Sequence, residues 1–315
     1  MPTLIPYAKP PLQHCLQALP QLRLPNLTAL LRLLQPGQHH QGEEDSLTPL
    51  PETLRAQALG LPSGDGLVPW AALEALQLQL PPAGEDQGWA WLSPCHWQVN
   101  SDHVRMADPA DSRISEAESR ALMEAMRSFF AEDGIQLHDW HDGHWLARGA
   151  VFRDLQTASL ARAAGGAVDH WLPRQPQARS LRRLQNEMQM LLYTHPVNDA
   201  RTAAHLLPVN SFWVSGTGSL PADFVPHAIA NDAEVTALQQ AALRDDAAAW
   251  TQAWQAIDSG ILSAPLQQAR AGQPVELTLC AENSAQTYSL QPRSLWSRIT
   301  GSRGPTDVAV LLQNL

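Results

Sequence analysis

The stretch LLYTHPVNDARTAAHLLPVNSFWVSGTG, Leu191–Gly218, decides how this chain is read. Upstream of it, Leu181, Leu184, Met188, Leu191 and Leu192 recur at helical spacing, so a helix runs up to His195-Pro196. Proline cannot continue a helix and restricts the residue before it. A polar cluster follows, with Asn198, Asp199 and Arg201. Then come Val209-Asn210-Ser211, an apolar strand Phe212-Trp213-Val214, and two glycines, Gly216 and Gly218, that tolerate backbone angles other residues resist. This order predicts a sharp turn after Pro196 that brings His195, Asn198, Arg201, Asn210 and Ser211 together. A guanidinium is a planar fork suited to phosphate or carboxylate. Asn210, Ser211 and the backbone near the glycines would add donors. The competing reading is a loop network in which Asn and Arg cap neighbouring carbonyls.

The rest of the chain bounds these readings. It has 315 residues, 44% of them apolar, and a formal net charge of −10. That acidity argues against a general nucleic-acid or anionic-membrane binder. Three distant cysteines, Cys15, Cys95 and Cys280, with no CxxC pair, argue against a disulfide scaffold or a thiolate metal site. The first residues show no basic and apolar leader pattern, and no apolar run approaches about 20 residues. The expectation is a cytoplasmic protein outside the membrane.

Residues 3 to 7 read as a short buried strand. Pro25-Asn26-Leu27 opens a helix with Asn26 as its cap and Leu27, Leu30, Leu31 and Leu34 on one face. Residues 36 to 49 read as an exposed loop. Helices follow at 53 to 59 and 70 to 78, then two strands between Trp89 and Asp108. Ser115 and Glu118 form a capping box at the head of a helix carrying Leu122, Met126, Phe129 and Phe130 and stopped by Gly134. IQLHDWHDGHWLARGA reads as a hairpin about a two-residue Asp142-Gly143 turn, with His141 facing His144. Further on, Asn231 and Glu234 cap a helix. Its stripe continues through Trp250, Trp254 and Ile257 after a break at Asp245-Asp246. Strands are expected at 274 to 281 and 308 to 312.

Other chemistry is weakly signalled. His138, Asp139, His141, Asp142 and His144 are of metal-ligating types. Strand alternation leaves at most His141, His144 and Asp139 on one face, and hairpin-turn residues of this kind are usually solvated, so no metal is assigned. There is no nucleophile elbow, P-loop or dinucleotide fingerprint.

HPVNDARTAAHLLPVNSFWVSGTGSLP resembles a segment of the archaeal-type cofactor-independent phosphoglycerate mutases, which belong to the alkaline phosphatase superfamily. CHWQVNSDHVRMAD, RISEAESRALMEAM and HWLARG resemble successive pieces of the same family. Leu-Pro-Asn-Leu at 24 to 27 resembles a helix start in that superfamily's core. The chain as a whole is similar to the proteobacterial RpfE-type regulatory proteins. The resemblance implies an α/β fold: a reduced alkaline-phosphatase-like core from 1–88 plus 226–315, carrying an inserted α+β lid domain at 89–225. It adds Asn100 to the site set, and places the cluster at the junction of insert and core.

The departures from that pattern are specific. Ile5-Pro6-Tyr7-Ala8 follows the first strand without a carboxylate, and Leu279-Cys280-Ala281-Glu282-Asn283 lacks a D-x-x-G-H motif. Phosphoryl transfer in the family depends on two metals and a nucleophile to stabilise developing charge. The leading expectation is therefore a non-catalytic, regulatory relative without cofactors. It would bind a small phosphorylated or carboxylate ligand, or a protein partner. The alternatives are an active phosphoglycerate mutase or phosphatase with two divalent metals, and a structural partner subunit with an empty pocket.

Overall fold

The computed structural model describes residues 2–138, 144–227, 233–290 and 307–315. In chain order the strands are β1 (Thr3–Ile5), β2 (Gln35–Gln41), β3 (Gly88–Cys95), β4 (Trp97–Val99), β5 (Val104–Met106), β6 (Gln136–His138), β7 (Trp145–Gly149), β8 (Ser211–Gly218), β9 (Glu276–Cys280) and β10 (Ser284–Ser289). The helices are α1 (Gln13–Ala18), α2 (Pro25–Leu31), α3 (Leu50–Leu59), α4 (Trp70–Gln77), α5 (Glu116–Glu132), α6 (Leu160–Ala163), α7 (Arg179–Leu192), α8 (Pro196–Ala203), α9 (Ala233–Leu243), α10 (Ala247–Ser259), α11 (Ser263–Arg270) and α12 (Val308–Gln313). The protein is of the mixed α/β class. It divides into two compact units, one of Met1–Asp45, Pro49–Gly60 and Pro226–Leu315, the other of Ser46–Thr48 and Leu61–Val225.

The first unit is built on a four-stranded sheet in the order β1-β9-β10-β2. The β1/β9 pair is parallel, and the β9/β10 and β10/β2 pairs are antiparallel. Its core gathers Ile5, Leu27, Leu30, Trp250, Trp254, Ile257, Leu277 and Leu279, all fully buried. Asp245, at φ 57°, makes the break between α9 and α10, and Asp246 caps the new helix by accepting from Ala249 N at 3.0 Å. Asn231 and the Glu234 side chain lie outside the described residues.

Three local expectations need correction here. Residues 35–41 form the edge strand β2, not a loop. An edge strand exposed to solvent needs no apolar residues, because the backbone ladder to β10 holds it. Val308–Leu312 is helical, with Asp307 Oδ1 accepting from Ala309 N at 2.9 Å; a short apolar run does not by itself separate helix from strand. Asn26 is not the cap of α2. Pro25 occupies its first turn, and Asp258 of α10 accepts from Asn26 N at 3.1 Å and Leu27 N at 2.7 Å. Asn26 Nδ2 in turn donates to the Asp258 carbonyl at 2.7 Å. A carboxylate near the C-terminal end of its own helix is poorly placed, but against the N-terminus of α2 it meets unpaired N–H groups.

The second unit is three layers. Its sheet, in the order β6-β7-β3-β8, is antiparallel throughout. On β3, Ala90 and Leu92 join the core of α5 and α7 with Leu122, Met126, Phe130, Leu184 and Met188. Trp89 alternates to the other face, where Ala71, Ala72 and Ala75 of α4 cover it beside Leu146. That cover is why residues 61–88, assigned to the core from sequence, gather with the second unit. β8 carries one extra residue against β3 near Gly216. Gly216 has φ 64°, and a Cβ there would come within 2.9 Å of the Trp91 ring, so the expected need for glycine is met. The Ser115/Glu118 capping box forms as expected. The Asp142-Gly143 turn lies outside the described residues. On its described flanks, His138 pairs with Leu146.

Removing the Asp258 carboxylate leaves two N–H groups of α2, one buried and one part-buried, without acceptors. Asp258→Ala is expected to lower unfolding free energy by about 2 kcal/mol in urea titration. An unchanged midpoint would mean that α2 does not depend on this contact.

Candidate functional site

All six residues singled out from the sequence lie in the second unit. Pro196 ends α7 and also begins a new helix. His195 is the N-cap of α8, its Nδ1 accepting from Val197 N at 3.3 Å, and Pro196 takes the first position, where its missing N–H costs nothing. The sharp turn expected after Pro196 is delayed to His205, at φ 58°. Asn198 and Arg201, three apart, both lie on the buried face of α8.

Asn198 is a bracket between segments. Its Nδ2 donates to the Leu192 carbonyl at 2.8 Å and the Val209 carbonyl at 2.7 Å, and its Oδ1 accepts from Val209 N at 2.8 Å. One side chain thereby ties the end of α7 to the approach to β8. Asn210 makes a similar clamp on Trp97, accepting from its N at 2.7 Å and donating to its carbonyl at 2.9 Å. Ser211 is fully buried at the start of β8, opposite Cys95.

Arg201 is 1% exposed. Its Nε donates to the Leu207 carbonyl at 2.8 Å, its Nη1 to Glu118 Oε1 at 3.1 Å, and its Nη2 to the Ser112 carbonyl. Every guanidinium nitrogen is thus engaged by the protein. The Arg201 side chain is closed to solvent. In this structure Asn198, Arg201 and Asn210 all bond to backbone groups, as in the loop-network reading. Asn100 is apart from them, exposed on the β4–β5 turn with its Nδ2 3.2 Å from His103 Nε2.

Glu118 carries more than its sequence pattern indicates. It was legible as a capping residue, and it does accept from Ser115 N at 2.8 Å and Ser115 Oγ at 2.7 Å. Its second oxygen, which the capping box leaves over, takes Arg201. Burial works to raise this carboxyl, but the bonds from Ser115 and the Arg201 contact outweigh it and hold it below the ordinary carboxylate range.

A cavity of about 510 Å³ lies elsewhere, in the first unit, lined by His39, Gln286, Tyr288, Asp307, Val310, Leu311, Asn314 and Leu315. Its polar groups are largely engaged. Asp307 caps α12, and Gln286 Nε2 donates to the Gly37 and Gln38 carbonyls. Among the described residues, no arginine or lysine lines it. Of the histidine and aspartate run at 138–144, residues 139–143 lie outside the described residues. Among the described residues, no group of three or more His, Cys, Asp or Glu is arranged to hold a metal, and no helix is long and apolar enough to cross a membrane.

The class defined by these features is a two-unit α/β protein whose most conspicuous polar cluster is internal. No protein-family profile matches the chain. No relative among curated proteins matches it either. Among solved structures it is similar to the PH0037 protein from Pyrococcus horikoshii, at 12% identity over 91% of this chain and 86% of that one, with a TM-score of 0.48. It is also similar to a cofactor-independent phosphoglycerate mutase from Thermoplasma acidophilum, at 16% identity over 100% of this chain and 99% of that one, with a TM-score of 0.37. This is a distant likeness and carries no statement about activity.

Arg201→Met keeps the apolar stem and removes the charge, leaving Glu118 and two carbonyls without their donor. The expected loss of stability is about 3 kcal/mol in urea titration; a loss below about 0.5 kcal/mol, the size of an ordinary surface change, would contradict the scaffold role. The pH dependence has a definite sign. A carboxyl whose folded pKa is depressed stabilises the fold above its unfolded pKa, and that contribution disappears as pH falls through the folded pKa. The stability gap between wild type and Glu118→Gln should therefore narrow as pH drops from about 5 to about 3. A gap that stays constant or widens would contradict it.

Proposed function

We propose that this chain is a phosphoglycerate-mutase-like protein with a regulatory role, which works by engaging a protein partner and does not turn over a phosphorylated substrate. The observation that carries this reading is the state of Arg201. The residue best suited to grip a phosphate or carboxylate has each of its three nitrogens bonded to protein groups. Of the two ligands expected from the sequence, this favours the protein partner over the small anion. The sequence supports the same reading. No carboxylate follows β1 at Pro6-Tyr7-Ala8, and no D-x-x-G-H follows β9 at Ala281-Glu282-Asn283, where the resemblance would require metal ligands.

The alternative is an active mutase or phosphatase using two divalent metals, and it makes the opposite prediction. On the regulatory reading, purified protein supplied with manganese or zinc should give no interconversion of 3- and 2-phosphoglycerate. Turnover above a no-enzyme control that a chelator abolishes would establish the enzyme and overturn the regulatory reading.

A further inference from the structure

Helix α7 has two opposed faces. Leu181, Leu184, Gln185, Met188 and Leu192 are buried against the second unit's sheet. The opposite side exposes Arg179, Arg183, Asn186, Met190 and Tyr193, the last just past the helix end but still in helical conformation. Those five positions are spaced four, three, four and three, the repeat of a helix–helix seam. Met190 is 80% exposed and Tyr193 83% exposed. Two large apolar side chains so open on one turn of a helix are not explained by the core, which the other face already fills.

We infer that this face of α7 pairs with the same face of a second copy of the chain, antiparallel, about a two-fold axis near Asn186. The seam is self-complementary in that orientation and not in the parallel one. Its first half is cationic and its last half is Met190 and Tyr193. Running two copies in opposite directions about Asn186 sets Arg179 of each against Tyr193 of the other, a guanidinium over an aromatic face. Arg183 comes beside Met190, where its aliphatic stem packs while its head stays bonded to Asp133 at 2.7 Å. The two Asn186 amides meet at the axis, and each can donate to and accept from the other. A two-fold contact requires this self-matching, since the same patch appears on both sides. A single short helix pair covers well under the roughly 800 Å² per partner of a standard interface, so the association is weak and reversible. It stands on the exposure and spacing of α7, and does not depend on the proposed regulatory role.

The test uses the full chain with Asn186→Cys. The three native cysteines are buried, so the introduced thiol is the accessible one. Diamide accepts two electrons and two protons as the introduced thiols of two copies join in a disulfide. A non-reducing gel at roughly 100 µM protein should show a covalent dimer, far more than Glu85→Cys, an exposed control in the same unit. Adding Tyr193→Glu or Met190→Glu should reduce cross-linking to the control level, with the melting curve unchanged because both sites are exposed. In sedimentation equilibrium, the native chain should gain mass with concentration and Tyr193→Glu should not. Equal cross-linking of the two cysteine variants, cross-linking indifferent to Tyr193→Glu, or a native chain that stays monomeric throughout would each overturn the proposal. Monomeric protein whose α7 face captures an acidic amphipathic helix would overturn it in favour of a different partner.

Discussion

A guanidinium cannot be placed in a protein interior unless acceptors are already arranged around it, because an unpaired buried charge is far costlier than the pair is favourable. Arg201 therefore ties together three separate segments of the second unit. Its three acceptors come from separate places: the turn at Ser112, the first turn of α5 at Glu118, and the chain beyond α8 at Leu207. The head of α5, the end of α8 and the approach to β8 are fixed together by one side chain. Asn198 extends the arrangement to the end of α7 and Asn210 to β4. The polar cluster is a set of brackets for irregular backbone, whose N–H and C=O groups need partners once buried.

The first unit solves a similar problem with a carboxylate. Asp258 reaches from α10 to the N-terminus of α2 and supplies the acceptor that α2 does not carry itself. Burial pushes this carboxyl up, while the bonds from Leu27 N and Asn26 N work to lower it. Glu118 comes out in the other direction because the bonds from Ser115, joined by the Arg201 contact, outweigh its burial. Two carboxylates with similar capping duties thus shift in opposite directions.

What was legible in the sequence follows from how local the signal is. The capping box at Ser115/Glu118, the break at Asp245-Asp246 and the strand at 276–280 involve residues close in the chain, and their patterns survive in the fold. Strand β2 was not legible, since its stability comes from pairing with β10, some 245 residues further on, and QPGQHHQ carries no apolar alternation. The cover of Trp89 by α4 was equally invisible: an alanine-rich helix shows which face is apolar, but not which sheet it will meet. The cap of α2 failed for the same reason. Asn26 has the right residue type at nearly the right position, but the acceptor came from Asp258.

The candidate site illustrates a stricter limit. Sequence identified His195, Asn198, Arg201, Asn210 and Ser211 as a related group, and a chain of contacts does link this segment: Asn198 holds Val209, which leads directly into Asn210 and Ser211. It could not identify what the group does, because residue type fixes the capacity to donate while the fold determines what receives. Arg201 with an open face would be a ligand site; with Glu118 opposite, it is a strut. That outcome turned on a residue 83 positions upstream whose evident duty was elsewhere. Resemblance to a family carries over residue types and spacing, and chemistry depends on the atoms the fold leaves available. Here the fold engages the arginine, while the outer side of α7, which no motif marked, stays exposed.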